Sequence, residues 1–297
     1  MSRVLAIVGP TAAGKTEMAI ELARRIGGEV LSVDSVMVYR GMDIGTAKPT
    51  LVERRGVPHH MIDVVDPEEE FSVAEFRRRG RGILKAATVP IVIVGGSGLH
   101  FRALVDPMSF APTDPELRRE LEEIPLGEMV AELTSVDPEA GAHVDLSNPR
   151  RVIRAVEIYR LTGETPSARA TKAEAEDLRR YVSEVEFTAV GVDPGNLLEQ
   201  RIELRTRRMR SGGLVGEVRR LQGRMGRTAR TAVGYREMLA FLRGDLSEEE
   251  AFSQLVRNTR RLAKKQRTWF QRDPRIRWIP WSDDLETRVD RALDVLM

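Results

Sequence analysis

The sequence predicts an α/β protein, a parallel sheet covered on both faces and interrupted by a helical insertion. Three observations carry this. Short runs rich in Val and Ile, "RVLAIVG", "EVLSVDS" and "VPIVIVGG", end at Gly or Asp and alternate with helical patterns such as "TEMAIELARRIG". They are near-continuously apolar, as strands buried on both faces are. From about Pro112 the strand signal gives way to charged helical segments broken by Pro and Gly.

In chain order, "RVLAIVG" leads into Gly9, Pro10, Thr11, Ala12, Ala13, Gly14, Lys15 and Thr16. Glycine, four residues, then Gly-Lys-Thr at a strand-to-helix turn is a phosphate loop, so the expected core is of the P-loop NTPase-like kind. Backbone N–H groups from Ala12 to Lys15 would converge on phosphate oxygens, with the Lys15 ammonium and the helix dipole adding positive potential. The Thr16 hydroxyl is the expected Mg²⁺ ligand. Residues 1–110 and 184–297 read as the core, the latter part with strand runs "EVEFTAVGVD" and "IRWIPW" and two long basic helices, "LEQRIELRTRRMRSGGLVGEVRRL" and "SQLVRNTRRLAKKQRTWFQR". Residues 111–183, with "DPELRRELEEI", "LGEMVAELTSV" and "NPRRVIRAVEIYRLTG", read as the helical insertion.

Composition sets the bounds. A chain of 297 residues, 41% hydrophobic, can bury a substantial core. No apolar run approaches the roughly 20 residues of a membrane span, and no export signal opens the chain, so a cytoplasmic protein is expected. With no cysteine there is no disulfide, thiolate metal site or cysteine nucleophile. Net charge is +2, but residues 201–297 hold 23 Lys and Arg against 13 Asp and Glu, a net +10 that leaves −8 for residues 1–200. Such an end suits an anionic partner, although a genome-wide arginine bias would produce the same clusters.

A triphosphatase also places an acid at the end of an apolar strand, to hold Mg²⁺ and position water. Here the run Pro90–Val94 ends in Gly95-Gly96-Ser97-Gly98, leaving only Asp63 or Asp66 for that part. A second glycine-rich loop admits another group close to the backbone, which suits two substrates. Asp34 follows the second strand, where groups face the same crevice as the phosphate loop. General base is its functional reading, and a turn or helix cap its structural one. His59 and His60 lack a matching ligand set, so polar packing or substrate contact is expected of them. Trp269 and Phe270 end a basic amphipathic helix, either as core or as a stacking platform.

These residues resemble the tRNA dimethylallyltransferases, also called isopentenyl-tRNA transferases. The likeness spans nearly the whole chain, in "GPTAAGKT", "DSVMVYRGMDIGTAKP", "PHHMID", "GGSGLH", "NPRRVIRAVEIY", "MRSGGLVGEV", "AVGYREM" and "TRRLAKKQRTWF". It implies transfer of a dimethylallyl group from its diphosphate to the exocyclic amine, N6, of the adenosine 3′ of the anticodon, with Mg²⁺. The loop would then hold the prenyl donor's pyrophosphate. The resemblance further implies Asp34 as base, Thr11 beside the reacting groups and Arg205 on pyrophosphate. The anticodon stem-loop would meet Asp34, Ser35, Val36, Met37, Ser97, Arg119 and the run Arg150, Arg151, Val152, Ile153 and Arg154. The target amine must leave the stack, so base extrusion is expected, and a monomer suffices. Four positions depart from the family pattern: Met37 for glutamine, Ser97 for threonine, His100 for tyrosine and Gln271 for arginine. Only Met37 loses hydrogen-bonding ability outright, which puts readout of the base there in doubt. The rivals are a P-loop small-molecule kinase with a helical lid and a nucleotide-dependent RNA-binding switch. The kinase does not account for the glycine-rich end of the Pro90–Val94 strand or for the basic C-terminal helices, and the switch would bind RNA without group transfer.

Overall fold

Six strands pair in parallel into one sheet in the computed structural model, which describes residues 3–296. The elements run β1 (Val4–Val8), α1 (Lys15–Ile26), β2 (Glu29–Ser32), β3 (His59–His60), α2 (Val73–Ala86), β4 (Ile91–Gly95) and α3 (Gly98–Val105). Then come six helices, α4 (Pro115–Glu123), α5 (Leu126–Val136), α6 (Ala140–His143), α7 (Pro149–Thr162), α8 (Pro166–Ala170) and α9 (Ala173–Arg179). The chain returns through β5 (Thr188–Val192), α10 (Leu198–Ser211), α11 (Leu214–Leu221), α12 (Arg227–Thr231), α13 (Tyr235–Arg243), α14 (Glu248–Gln271), β6 (Ile276–Ile279) and α15 (Leu285–Leu296). Two compact units result: residues up to Val105 together with those from Val185 on, and Asp106–Glu184.

In the first unit the strand order is β3-β2-β4-β1-β5-β6. Alternation along β1 explains why it is buried throughout: Leu5 and Ile7 meet Met18, Leu22 and Val289, while Val4, Ala6 and Val8 share a core with Phe76, Phe101 and Phe270. One face is thus covered by α1 and α15, the other by α2, α3 and α14. After β1 the chain leaves toward β2, and after β4 it crosses to β5 on the other side. The crevice of such a sheet opens at the carboxyl ends of these central strands. A separate cluster, built from Tyr39, Met42, Leu214, Val218, Tyr235, Met238 and Phe252, ties the segment after β2 to α11, α13 and α14.

One reading of the sequence needs correcting. The stretch "LEQRIELRTRRMRSGGLVGEVRRL" is not one helix: α10 ends at Ser211, and α11 restarts beyond Gly213, whose φ of 91° is foreign to a continuing helix. His59 and His60 form a short edge strand, too brief to show a periodicity.

The second unit has a core of its own, Leu121, Met129, Leu133, Ala140, Val152 and Val156. It begins five residues before, and ends one after, the 111–183 drawn from composition. Its α4 is capped by Asp114, whose carboxylate accepts from the N–H of Glu116 and Leu117. Among the described residues no helix is long and apolar enough to cross a membrane.

Candidate active site

Between β1 and α1 the loop turns through two non-helical corners, Ala12 at φ 62° and Gly14 at φ 70°. The left-handed region costs a non-glycine residue about 1 kcal/mol. Ala12 is held there by Arg201, whose Nε donates to its carbonyl at 2.7 Å, and by packing on Leu198, Ile202 and Ala263. Gln266 of α14 accepts from the Thr11 N–H at 2.8 Å. With Ala12 and Gly14 so turned, Lys15 begins α1 and its Nζ donates to the Pro10 carbonyl at 2.6 Å.

A cavity of about 330 Å³ opens beside the loop. Thr11, Lys15, Thr16, Asp34, Ser35, Arg205 and Gln266 give its lining polar groups; Val36, Met37, Met209, Val233, Leu255 and Leu262 give it apolar surface. Within this one unit it therefore offers an anion cradle and room for hydrocarbon side by side. Burial and then the charge of Arg205 push the Lys15 ammonium down to about 7, against a smaller opposing pull from Asp34. Burial likewise lowers Arg205, again opposed by Asp34. These cations are uncomfortable together without an anion.

Asp34 follows β2. Its Oδ1 accepts from the N–H of Val36 at 2.8 Å and of Met37 at 3.1 Å, which fixes the turn. Oδ2 takes no hydrogen bond among the described residues. The carboxylate is thus both turn former and open acceptor facing the cavity. His59 donates from Nδ1 to the Val57 carbonyl, so its Nε2 is left as a buried acceptor with no partner among the described residues, and the residue lines the same cavity. His60 pairs with Glu29 instead, 2.6 Å away. Among the described residues no group of three or more His, Cys, Asp and Glu side chains is placed to hold a metal. Magnesium with a polyphosphate needs no such cage, because phosphate oxygens and water supply most of its ligands. The half-buried Thr16, with no competing hydrogen bond from its hydroxyl among the described residues, fits that role.

Comparison with known proteins adds the decisive observation. The IPP transferase family profile matches residues 37–273, and that of the isopentenyl transferases matches residues 2–63. The chain belongs to the IPP transferase family, the tRNA dimethylallyltransferases. It is 43% identical over 290 residues to the tRNA dimethylallyltransferase of Bifidobacterium longum, covering 93% of this chain and 86% of that one. It is 44% identical over 288 residues to that of Streptomyces avermitilis, covering 93% and 90%. Among solved structures, the tRNA isopentenylpyrophosphate transferase of Bacillus halodurans superposes with a TM-score of 0.72 at 36% identity, over 99% of this chain and 95% of that one. A eukaryotic dimethylallyltransferase acting on tRNA superposes at 0.72 and 26% identity, over 91% and 70%. The kinase alternative is not favoured.

For this tRNA dimethylallyltransferase family member, the predicted site residues fall into two groups. Of the loop, Thr11, Lys15 and Thr16 line the cavity together with Asp34, Ser35, Val36, Met37 and Arg205, while Gly9, Pro10, Ala12, Ala13 and Gly14 do not line it. Ser97 lies just past its glycine-rich edge, with its hydroxyl hydrogen-bonded to His100 Nδ1 at 2.7 Å. Burial pushes His100 down to about 4, so this pair is neutral at ordinary pH. The Met37 sulfur sits 3.8 Å from the Ser32 hydroxyl. The remaining residues belong to the helical unit. Arg119, Arg150 and Arg151 are exposed there. Val152 is wholly buried, so its side chain belongs to the core of this unit. Ile153 packs against that core. Arg154 is not a free cation either. It donates to the carbonyls of Ala111 and Pro112 and, with Arg118, neutralises Glu157, which is fully buried. Burial alone would raise the Glu157 carboxyl, but the hydrogen bonds from the two arginines outweigh it and hold it below its ordinary value.

Sequence reasoning missed Arg201 and Gln266. Arg201 stands four residues before Arg205 on α10, so helical spacing alone put the two on one face. Gln266 carried only the weak signal of a neutral polar residue within a basic run. The aromatic pair divides: Phe270 is fully buried against Phe101, while Trp269 lies across Gly98 and stays 44% exposed.

Proposed function

We propose that this protein transfers a dimethylallyl group from dimethylallyl diphosphate to N6 of the adenosine 3′ of the tRNA anticodon, giving N6-isopentenyladenosine. The observation that carries the reading is the convergence, in a member of this family, of a phosphate loop, a carboxylate with an open oxygen and apolar walls on one cavity. Lys15, Arg205 and the loop N–H groups would bind the donor's pyrophosphate. When the allylic C–O bond breaks, negative charge accumulates on the departing oxygen, and donors already aimed there stabilise the transition state more than the ground state. The Thr16 hydroxyl, with the donor's phosphates, would hold Mg²⁺, which when bound adds electrophilic charge to the leaving group. The amine's lone pair is delocalised into the adenine ring, so its attack gains from loss of the proton as the C–N bond forms. Asp34 Oδ2 is the acceptor for that proton. Its fixed Oδ1 keeps the carboxylate from rotating away.

Reaching the amine requires the nucleotide to leave the anticodon stack, which is cheap in a single-stranded loop. Arg261, Lys264 and Lys265 on α14 are exposed and take no partner among the described residues, which supports tracking of RNA phosphates there. Arg119, Arg150 and Arg151 would add contacts from the helical unit, and Ser35, Val36 and Met37 would face the base. The protein is read as a monomer acting in the cytoplasm. Mass spectrometry of an anticodon stem-loop incubated with dimethylallyl diphosphate and Mg²⁺ should show the added five-carbon group on one adenosine. Brisk ATP cleavage with no prenylated RNA would overturn the reading.

A further inference from the structure

Arg205 makes one hydrogen bond among the described residues: its Nη2 donates to the carbonyl of Thr46 at 2.9 Å. That carbonyl sits in the segment Asp43-Ile44-Gly45-Thr46, which has no sheet or helix to hold it. Turn bonds shape it, from the Ala47 N–H to the Ile44 carbonyl at 3.0 Å and from the Thr46 hydroxyl to the Met42 carbonyl at 2.7 Å, and a carboxylate from α11 anchors it to the rest of the unit. Glu217, 1% exposed, accepts from three successive backbone N–H groups, Asp43 at 3.0 Å and Ile44 at 2.8 Å through Oε2 and Gly45 at 3.1 Å through Oε1. The Tyr235 hydroxyl donates to the same Oε1 at 2.7 Å. Successive N–H groups turned onto one anion form a nest, and here the occupant is the protein's own side chain. The Tyr235 ring closes the arrangement from the other side. A Cβ on Gly45 would come within 2.5 Å of it, so no other residue fits there.

We propose that Glu217 is a positioning residue for the prenyl donor: by pinning Asp43–Thr46 it places the carbonyl that aims Arg205 at the pyrophosphate. This rests on the reading of Arg205 given above. Burying a carboxylate is costly unless its oxygens are satisfied, and four donors satisfy this one. Freed of its anchor, the Thr46 carbonyl would drift, and a long arginine side chain beside Lys15 would swing away from a neighbour of like charge. Tyr39 and Asp63 add a second brace, through Lys48, whose Nζ donates to the Tyr39 carbonyl and to the carboxylates of Asp43 and Asp63. That brace acts outside the nest and leaves the N–H groups of Ile44 and Gly45 to Glu217.

The test is a double-mutant cycle read by calorimetric affinity for inorganic pyrophosphate in the presence of Mg²⁺. Glu217→Gln preserves volume and one acceptor but turns an NH₂ toward the loop N–H groups. It should weaken pyrophosphate about tenfold while changing affinity for the tRNA stem-loop by less than about twofold. In an Arg205→Ala background the same substitution should cost less than about twofold. Equal losses in both backgrounds would mean a general structural effect and overturn the proposal, as would no loss in either. If Arg205→Ala weakens pyrophosphate while Glu217→Gln does not, the positioning role fails and the reading of Arg205 stands. If Arg205→Ala has no effect, both fall. Tyr235→Phe removes one of the four donors and serves if Glu217→Gln does not fold. Its loss of about threefold must likewise vanish without Arg205.

Discussion

Donor binding should depend on pH through Lys15. Its ammonium is lowered to about 7 by burial and by Arg205, so at pH 8 only about one molecule in ten carries the charge before the donor arrives. A bound diphosphate restores the preference for the charged form. Binding therefore takes up close to one proton per donor at pH 8.5 and very little at pH 6. Affinity is full below about 7 and falls up to about tenfold, or ~1.4 kcal/mol, for each pH unit above it until the bound-state value is passed. Calorimetry with dimethylallyl diphosphate at pH 8.5, in two buffers of different ionisation enthalpy, counts the protons directly. Lys15→Arg supplies the control, because a guanidinium stays charged throughout and should abolish the uptake. An uptake near zero in the parent, or an equal one in Lys15→Arg, would refute the reasoning. The same shift has the opposite sense for folding. The folded value lies below the unfolded 10.5, so Lys15 costs stability at pH below about 7, and the cost fades as pH climbs toward 10.5.

Other expectations concern single side chains. Asp34→Asn keeps an acceptor for the turn N–H groups but cannot take the proton, so product formation should fall by about 10²- to 10⁴-fold with stem-loop affinity nearly unchanged; a fully active variant would remove Asp34 as base. Met37→Gln should alter the preference among stem-loops carrying different bases at the target position more than it alters the rate on adenosine, and identical selectivity would end that idea. Thr16→Ala should raise the Mg²⁺ concentration needed for half-maximal activity several-fold, on the order of one lost ligand. Glu157→Gln leaves Arg118 and Arg154 unneutralised in the helical unit and should lower its stability by about 2 kcal/mol. Urea unfolding followed in that unit would show it, and an unmoved midpoint would contradict the assignment.

Much of this was legible in the chain itself, for identifiable reasons. Strands covered on both faces are nearly all apolar, so β1 and β4 announce themselves and β2 does so through Val30 and Leu31, and the Gly9–Thr16 loop follows from its fixed glycine spacing. Asp34 was readable because its place after a strand limits where it can face. What escaped is set by tertiary contact. Nothing local says that Arg201 reaches the Ala12 carbonyl, or that Glu217 rather than solvent satisfies the N–H groups of residues 43–45. The Arg154 ion pair was equally hidden: in a basic run an arginine paired with a buried carboxylate looks the same as one waiting for a phosphate. The burial of Val152 was hidden because a short stretch carried over whole includes the inward face of its helix as well as the outward one.

The return of the chain at Val185 has a consequence for how such proteins diversify. The Val185 N–H donates to the Val105 carbonyl at 3.2 Å, so the two points where residues 106–184 leave and rejoin the sheet unit are already neighbours. Lengthening or trimming a segment whose ends are fastened changes closure entropy only logarithmically, and the strand order around β1 is indifferent to it. The helical module can therefore be remodelled over generations, while the phosphate-loop cavity keeps its registration.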